Sequence, residues 1–306
     1  MPYYLGIDGG GTKTTCAVGD ETRLVASATA GPSNIVRVGE AQTRQSLQGA
    51  VRQACTAAGI TAAEVARTCI GGSGAGRPEL AEIVRRILAE ILSTPIDVVG
   101  DMQTALEAAF DTGPGVVVNA GTGSFAYGRN QWGQTLRAGG WGFAIGDEGS
   151  AHWIGREAVR AALQESERGD DPAGFIRTSL VQGLFKAWGV VSFLDLARAG
   201  NSVPPPDFAK LLPAVVTSKD EIARSVLRDA GRELARLAEV VMGKLFSKDE
   251  PVVPVAMTGG VFRHAELVRQ VFYNELRKID PRAQVQAAVV DPIEGALRMA
   301  RRAAAV

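Results

Sequence analysis

Three consecutive glycines near the start of the chain, Gly9–Gly11, are flanked on both sides by residue types that suit phosphate binding. Glycine allows a turn whose backbone N–H groups approach a ligand closely, while Thr12 and Thr14 add hydroxyl donors and Lys13 adds positive charge. Asp8, just before the glycines, is a candidate ligand of Mg²⁺, directly or through water. A hairpin turn with incidental polar residues explains the same pattern, and Lys13 either contacts phosphate or points into water.

The turn has neither of the two common nucleotide-binding patterns, because the alternating residues after it predict a strand and not a helix. The same strand–turn–strand pattern recurs in "GVVVNAGTGSFAYGR", with Gly121, Thr122 and Gly123 in the turn. A third glycine turn, Gly259–Gly260, lies where a strand ends and a helix begins, a usual ligand position in α/β sheets. Each turn alone has an ordinary structural explanation. The repeat predicts two related α/β lobes whose turns form a two-sided phosphate clamp.

Asp101 is the strongest candidate for acid–base chemistry. It lies between the short strand "PIDVV" and a new helix, at the carboxyl end of a strand where ligands bind in such sheets. An N-capping aspartate is the structural alternative. Asp147 and Glu148 form a second acidic pair in a glycine-bounded loop, for which a solvated loop is the alternative. Trp141 stands between two glycines and either lines a ligand pocket or fills the core.

The elements that must position these residues are predicted from periodicity. Strands are expected on both sides of the two hairpin turns. Apolar residues at helical spacing predict helices at 41–58, 79–92, 151–166 and 219–246, with Ser150 as the N-cap of the third. The polar, proline-containing region 168–207 predicts loop structure. A strand leading to a terminal helix closes the chain.

Composition excludes several classes of protein. The length of 306 residues favours two domains, and 33 basic residues cancel 33 acidic ones, so bulk charge indicates neither nucleic acid nor an anionic membrane as a partner. No signal peptide and no membrane-spanning apolar run is evident. Cys16, Cys55 and Cys69 have neither metal-binding nor disulfide spacing. We expect them to pack as small hydrophobic residues in a cytoplasmic protein.

Together these motifs resemble a known family. The segment from Asp8 to Thr14, the Asp101 junction, "GTGS", "GGWGFAIGDEGSAHW" and "TGG" look like the BadF/BadG/BcrA/BcrD-type ATPases of the actin-like, sugar-kinase superfamily, closest to its N-acetylglucosamine kinases. The likeness covers nearly the whole chain and is weakest between 165 and 250. It implies a two-lobed α/β, ribonuclease H-like fold with an interlobe cleft. The N-terminal lobe is expected at 1–114 with the C-terminal helix 292–306 packed on it, and the C-terminal lobe at 115–291.

The resemblance also implies roles for single residues. Asp101 takes the position of the general base that removes the proton from the sugar 6-hydroxyl, which then attacks the γ-phosphate of Mg-ATP. Asp8 falls where relatives have an acidic residue near the metal. The sugar-binding residues it implies are Asn34, Gly140, Trp141, Gly142 and Asp147. The ATP-binding residues it implies are Gly10, Gly11, Thr12, Lys13, Thr14, Gly121, Thr122, Gly123, Ala209, Gly259 and Gly260.

The implied activity is ATP-dependent 6-phosphorylation of an aminosugar with Mg²⁺, and N-acetylglucosamine is the leading substrate. Glucosamine and N-acetylmuramic acid are close alternatives. Two other classes compete: ATP-hydrolysing activators of dehydratases or reductases, which carry an iron–sulfur cluster, and sugar sensors without catalysis. The cysteines disfavour the activator, because all three fall in the first lobe on predicted strands or a helix. The expected partners are the sugar and ATP, with no nucleic acid or membrane, and family members are often homodimers.

Overall fold

The computed structural model describes residues 2–168 and 171–304, which form two compact units. The first unit contains the chain up to Gly113 together with the segment from Val290 onward, and the second unit is Pro114–Val289. Each unit contains one five-stranded sheet. Both units combine their sheet with helices, so the predicted α/β class is confirmed.

The described part of the chain has the following elements. The strands are β1 (Tyr3–Gly9), β2 (Thr14–Gly19), β3 (Leu24–Ala30), β4 (Val65–Gly72), β5 (Ile96–Gly100), β6 (Gly115–Ala120), β7 (Ser124–Arg129), β8 (Thr135–Gly139), β9 (Val253–Thr258) and β10 (Ala283–Val290). The helices are α1 (Ile35–Ala58), α2 (Pro78–Ala89), α3 (Asp101–Phe110), α4 (Ala151–Arg168), α5 (Pro172–Phe175), α6 (Ser179–Trp188), α7 (Phe193–Gly200), α8 (Leu212–Thr217), α9 (Glu221–Leu245), α10 (Gly260–His264), α11 (Glu266–Ile279) and α12 (Pro292–Ala304). Short 3₁₀ turns are formed by Ala62–Glu64 and Phe208–Leu211.

The sheet of the first unit has the strand order β3-β2-β1-β4-β5. β1 pairs antiparallel with β2 and parallel with β4, which in turn pairs parallel with β5. Gly9 is paired with Gly72, and Gly72 with Gly100, so three parallel strands end in register at one edge. The segments that follow these glycines therefore leave the sheet side by side, where ligands bind in α/β folds.

The core of the first unit lies between this sheet and the helices α1 and α2. Leu5 and Ile7, two positions apart on β1, point to the same face of the sheet and are fully buried. They belong to one apolar cluster with Leu47 of α1 and Ile87 of α2. Burial of these side chains is the main force that holds the two helices against the sheet.

The last helix, α12, fixes the position of α3 in the first unit. A Cβ atom on Gly295 would overlap the carbonyl oxygen of Thr104, so only glycine allows the two helices to approach this closely. Arg298 donates to the carbonyl oxygen of Glu107 at 2.8 Å, and Arg302 pairs with the buried carboxylate of Glu107. These contacts hold the helix that begins with Asp101.

The sheet of the second unit has the order β10-β9-β6-β7-β8. β6 pairs parallel with β9 and antiparallel with β7, so it repeats the arrangement of β1 in the first unit. Val118 of β6, Ile154 of α4 and Leu234 of α9 are fully buried in one core cluster. The helical stripe predicted for 219–246 thus faces the interior as α9.

Most predicted helices are confirmed, with shifted ends. Those at 41–58 and 79–92 correspond to α1 and α2, although α1 begins earlier and is kinked at Gly39, where φ is 75°. Ser150 caps α4 as predicted, because its Oγ accepts a hydrogen bond from the Trp153 N–H at 3.1 Å.

The loop prediction for 168–207 was wrong over most of its length, leaving aside 169–170, which lie outside the described residues. Thr178 and Ser192 are the N-caps of α6 and α7, and Gly189 ends α6 with φ at 67°. Leu180 and Leu184 of α6 are fully buried, so tertiary packing stabilises a helix in this polar segment. Residues 201–207, which contain Pro204, Pro205 and Pro206, are loop, and shorter connections lie at 176–178 and 189–192. No single helix among the described residues is long and apolar enough to cross a membrane; α6 and α7 meet that test only as a bent pair.

Candidate functional site

The first glycine turn joins β1 and β2 and opens toward solvent. The Gly10 N–H donates to the Lys13 carbonyl oxygen at 3.0 Å, which closes the turn. Gly10 and Gly11 are half-buried, whereas Thr12 and Lys13 are exposed. The turn therefore offers backbone N–H, hydroxyl and ammonium donors on one short segment, which is the donor set that phosphate oxygens need.

Thr14 differs from Thr12, because its side chain is fully buried. Its Oγ1 lies 2.8 Å from the carbonyl oxygen of Gly31 and 2.7 Å from Ser33 Oγ. The Ser33 and Asn34 N–H groups both donate to the Gly10 carbonyl oxygen, at 3.1 and 3.2 Å. The hydroxyl of Thr14 is thus bonded inside the protein, where it ties β2 to the segment that carries Asn34.

Asn34 is the N-cap of α1, and its carboxamide is held at both ends. The Oδ1 atom accepts from the Val36 N–H at 3.2 Å, and Nδ2 donates to Ser73 Oγ at 3.1 Å. One Nδ2 proton and further lone-pair capacity on Oδ1 remain for a ligand. Ser73 was not predicted as a site residue, although it directly follows β4, where the parallel strands end.

Asp101 is the first residue of α3 and not its cap. The N-cap is Gly100, whose N–H donates to Gln103 Oε1 at 3.0 Å, so the capping alternative for Asp101 is excluded. The Asp101 side chain is half-buried, and its Oδ1 accepts from the Met102 N–H at 3.0 Å. The carboxylate therefore stands at the edge where β1, β4 and β5 end together.

Asp8 is half-buried near the end of β1, opposite Thr15 on β2 and Gly71 on β4. Within the described ranges, no group of three or more His, Cys, Asp or Glu side chains could hold a metal ion by itself. A magnesium ion bound with a nucleotide needs only one or two carboxylates, because water and phosphate oxygens complete its coordination. A single carboxylate next to a glycine turn fits that mode of binding.

The second glycine turn joins β6 and β7 in the second unit. The Gly121 N–H donates to the Gly123 carbonyl oxygen at 2.9 Å, and the Ala151 N–H donates to the Gly121 carbonyl oxygen at 2.9 Å. Gly121, Thr122 and Gly123 are all half-buried. The start of α4 is therefore bonded directly to the turn that joins β6 and β7, the pair equivalent to β1 and β2 in the first unit.

The third glycine turn contacts the second one. Gly259 has φ at 101°, and a Cβ atom on it would overlap the Ala120 carbonyl oxygen and lie 2.9 Å from the Gly121 nitrogen. Only glycine allows this approach of two backbones. A Cβ on the next residue, Gly260, would meet nothing within 4 Å. The structure thus brings the predicted residues of β6–β7 and β9–α10 together.

Asp147 lies against the second turn. A Cβ on Gly123 would be 2.7 Å from Asp147 Oδ2, and the Gly142 N–H donates to Asp147 Oδ1 at 3.3 Å. Its backbone has φ at 61°, a conformation that is uncommon outside glycine and often found at functional sites. Burial raises the pKa of Asp147 and nearby Glu148 adds to the effect, while the N–H groups of Gly142 and Ser124 act against it. This carboxyl group is therefore partly desolvated, and it joins two of the predicted loops.

The loop with Gly140, Trp141 and Gly142 follows β8. Both glycines have positive φ, at 71° and 97°, and Trp141 is 76% exposed, which excludes the core-filling alternative for its side chain. Arg137 Nε donates to the Gly139 carbonyl oxygen at 2.9 Å, and its Nη2 donates to that of Gly140. This arginine was not predicted from the sequence, because the carbonyl groups that it contacts are oriented by the glycine conformations.

Ala209 lies in the 3₁₀ turn Phe208–Leu211 and is half-buried. The buried ring of His152, at the start of α4, lies 4.8 Å from the ring of Phe143 and 5.2 Å from that of Phe208. The 3₁₀ turn therefore packs at the end of α4 that follows Asp147 and Ser150, in the same part of the second unit as the other predicted residues.

The three cysteines are buried free thiols, as expected. They lie on β2, α1 and β4. Burial raises the pKa of all three, and that of Cys69 to about 12. Thiols in this state pack as small hydrophobic side chains and are poor metal ligands.

Known proteins match the chain over nearly its full length. Residues 5–300 match the model of the BadF/BadG/BcrA/BcrD ATPase family. An N-acetylmuramic acid/N-acetylglucosamine kinase of Clostridium acetobutylicum is 30% identical over 308 residues, covering 98% of this chain and 99% of that protein. An N-acetyl-D-glucosamine kinase of Dictyostelium discoideum is 29% identical over 314 residues, 97% of each. A solved structure of a proposed N-acetylglucosamine kinase from Chromobacterium violaceum has a TM-score of 0.76 at 25% identity, covering 98% of this chain and 99% of that one.

Proposed function

Because the chain belongs to the BadF/BadG/BcrA/BcrD ATPase family, we propose that it transfers the γ-phosphoryl group of ATP to the 6-hydroxyl of an aminosugar, and that N-acetylglucosamine is its substrate. The observation that carries the proposal is the register of Gly9, Gly72 and Gly100, after which Asp101 follows at the same sheet edge as the first glycine turn. The relatives' names, both of sugar kinases, support the same reaction.

Asp101 is the proposed general base. Its carboxylate accepts the proton of the sugar 6-hydroxyl while that oxygen attacks the γ-phosphorus. The bond from the γ-phosphorus to the oxygen that bridges it to the β-phosphorus breaks, and ADP leaves with the electron pair. Phosphoryl transfer depends mainly on positioning and charge stabilisation, so a rigidly held carboxylate is the main chemical group that the protein must supply.

The glycine turns are the proposed phosphate-binding elements. The N–H groups of Gly11–Lys13 and of Thr122 and Gly123, with the threonine hydroxyls, donate to phosphate oxygens, and the open space at Gly260 admits the nucleotide. Ala209 is the proposed contact with the rest of the nucleotide. For Thr14 we propose a bracing role, since its hydroxyl is already bonded to Gly31 and Ser33.

Asp8 is the proposed residue for Mg²⁺, alone or through a water molecule. When bound, the metal supplies positive charge that offsets the charge of the phosphates. One carboxylate is sufficient for this, because the remaining ligands of Mg²⁺ come from water and ATP.

Asn34, Asp147 and the loop Gly140–Gly142 are the proposed sugar-binding residues. A carboxamide and a partly desolvated carboxylate discriminate strongly between sugars, because an analogue without the matching hydroxyl or amide leaves a buried polar group unpaired. N-Acetylmuramic acid is the second candidate substrate, since the relative from Clostridium acetobutylicum is named for both sugars.

A panel of aminosugars with coupled detection of ADP tests the proposal. We expect N-acetylglucosamine-dependent ADP release that falls at least about a hundredfold in Asp101→Asn, because the amide cannot accept the proton. Asp97→Asn is the matched control, as Asp97 lies on the preceding strand and pairs with Arg67 at 2.9 Å. Failure of N-acetylglucosamine, glucosamine, N-acetylmuramic acid and hexoses to stimulate turnover would refute the kinase.

The same preparation separates the other two classes. An iron–sulfur activator would be brown and would hydrolyse ATP without sugar, whereas buried thiols of raised pKa support a colourless protein. A sensor would bind sugar with little ATP turnover. Three unpaired thiols also support a reducing compartment such as the cytoplasm.

A further inference from the structure

Ser73 lies in the middle of the row formed by the C-terminal ends of the parallel strands, where the predicted site residues of the first unit lie. β4 stands between β1 and β5, and Gly9, Gly72 and Gly100 are paired across the three strands. The residues that follow them, Gly10, Ser73 and Asp101, therefore leave the sheet in one row. Ser73 is thus the residue between the glycine turn and the proposed base.

Hydrogen bonds fix Ser73 but leave its hydroxyl proton unassigned. The Ser73 N–H donates to the Gly9 carbonyl oxygen at 2.8 Å, so the backbone cannot turn away from β1. The Ser73 Oγ accepts from Asn34 Nδ2 at 3.1 Å. Within residues 2–168 and 171–304 no acceptor takes the proton of this half-buried hydroxyl. A hydroxyl can donate once while it accepts, so this proton is available to a ligand oxygen.

Close packing at the end of β4 keeps Ser73 near the start of α3. A Cβ on Gly71 would overlap the side chain of Thr104, which belongs to α3 and is fully buried. A Cβ on Gly72 would lie 2.8 Å from the Cβ of Ala75. Small residues at the strand end therefore let the Ser73 turn and the helix that carries Asp101 pack tightly against each other.

We propose that Ser73 is a further sugar-binding residue, whose hydroxyl donates to a ring hydroxyl of the aminosugar and whose oxygen holds the Asn34 carboxamide in its binding orientation. This inference rests on the proposed function and adds a specificity residue to the same site. Because the donor lies between the glycine turn and Asp101, the hydroxyl it recognises is one near the reacting 6-position and not the N-acetyl group.

Calorimetric titration of N-acetylglucosamine without ATP, followed by steady-state kinetics, tests this role. We expect Ser73→Ala to weaken sugar binding about five- to tenfold, with a matching rise in the sugar KM, little change in kcat and an unchanged ATP KM. Ser73→Thr keeps a hydroxyl and should restore most of the affinity. Ser27→Ala, on exposed β3, is the matched control and should bind like the wild type.

Deoxy analogues identify the contact itself. We expect 4-deoxy-N-acetylglucosamine, which lacks the ring hydroxyl nearest the 6-position, to bind wild type several-fold more weakly, and Ser73→Ala to reduce its affinity no further, since the same hydrogen bond is already lost. With 3-deoxy-N-acetylglucosamine, Ser73→Ala should still cause its full loss of affinity. Equal losses by Ser73→Ala with every analogue, or unchanged affinity, would overturn the inference while the kinase stands. A wild-type protein that neither binds nor phosphorylates any aminosugar would overturn both.

Discussion

Gly259→Ala tests whether the contact between the β9–α10 turn and the β6–β7 turn is required for nucleotide binding. Gly259 has φ at 101° and ψ at 164°, a region open almost only to glycine, and an L-residue forced into it costs about 1–3 kcal/mol. The new Cβ would overlap the Ala120 carbonyl oxygen and lie 2.9 Å from the Gly121 nitrogen. Both are backbone atoms that cannot rotate away, so the turn must shift, at a further cost of about 1–3 kcal/mol.

Together these costs predict a free energy of unfolding lower by about 2–6 kcal/mol, and a Tm lower by roughly 5–15 °C. The shift acts on the turn Gly121–Gly123, so we expect the KM for ATP to rise more than the KM for the sugar. Differential scanning fluorimetry measures the first effect, and coupled ADP detection over a range of ATP concentrations measures the second.

Gly260→Ala and Gly243→Ala are matched controls, because an added Cβ meets nothing within 4 Å at either site and neither glycine has positive φ. Gly243 lies inside α9, where alanine should stabilise the helix by up to about 1 kcal/mol. Gly260→Ala should keep the wild-type Tm while it raises the KM for ATP. A Gly259→Ala variant with the wild-type Tm and ATP KM would refute the reasoning, as would an equal fall in Tm in either control.

Two further variants probe the loops of the second unit. In wild type, burial raises the pKa of Asp147, so stability is lost as pH rises from the unfolded-state pKa of about 4 through the higher folded one. The Asp147→Asn side chain cannot ionise. In urea titrations the free energy of unfolding of this variant, relative to wild type, should therefore increase from pH 4 to pH 7, and its sugar KM should be higher. A difference in unfolding free energy that stays constant over this pH range would contradict the prediction. Arg137→Ala removes the bonds to the Gly139 and Gly140 carbonyl oxygens, so we expect a higher sugar KM with a smaller change in kcat. Arg137→Lys should restore only part of the sugar affinity, because an ammonium cannot reach both carbonyl oxygens as a planar guanidinium does. An unchanged sugar KM in Arg137→Ala would argue against this positioning role.

The strands around the glycine turns and the long helices were predictable because their signals are local. An alternating pattern is enough for β2, and a continuous apolar stripe for α9. The helices α6 and α7 were not predicted, since a polar, proline-containing stretch has weak periodicity. Their caps, Thr178 and Ser192, become informative only once the burial of Leu180 and Leu184 is known.

The same distinction between local signals and long-range contacts applies to the candidate site residues. Asp101 and the three glycine turns were found from residue type and position at strand ends. Ser73 was missed because its partner Asn34 lies 39 residues away, and no local pattern reports that hydrogen bond. Arg137 was missed because its role depends on carbonyl groups that are turned outward by glycines of positive φ.

A chain of hydrogen bonds explains why the first unit can hold a preorganised site on loops. Thr14 bonds to Ser33, the Ser33 and Asn34 N–H groups bond to the Gly10 carbonyl oxygen, and the Asn34 carboxamide bonds to Ser73. Each bond contributes only about 1 kcal/mol, but the loss of one partner leaves the next group unpaired. The phosphate turn and the proposed sugar amide therefore share their supports. Truncation of Thr14, whose buried hydroxyl is bonded to Gly31 and Ser33, should weaken sugar binding through Asn34, and a double-mutant cycle between Thr14 and Asn34 should be strongly non-additive.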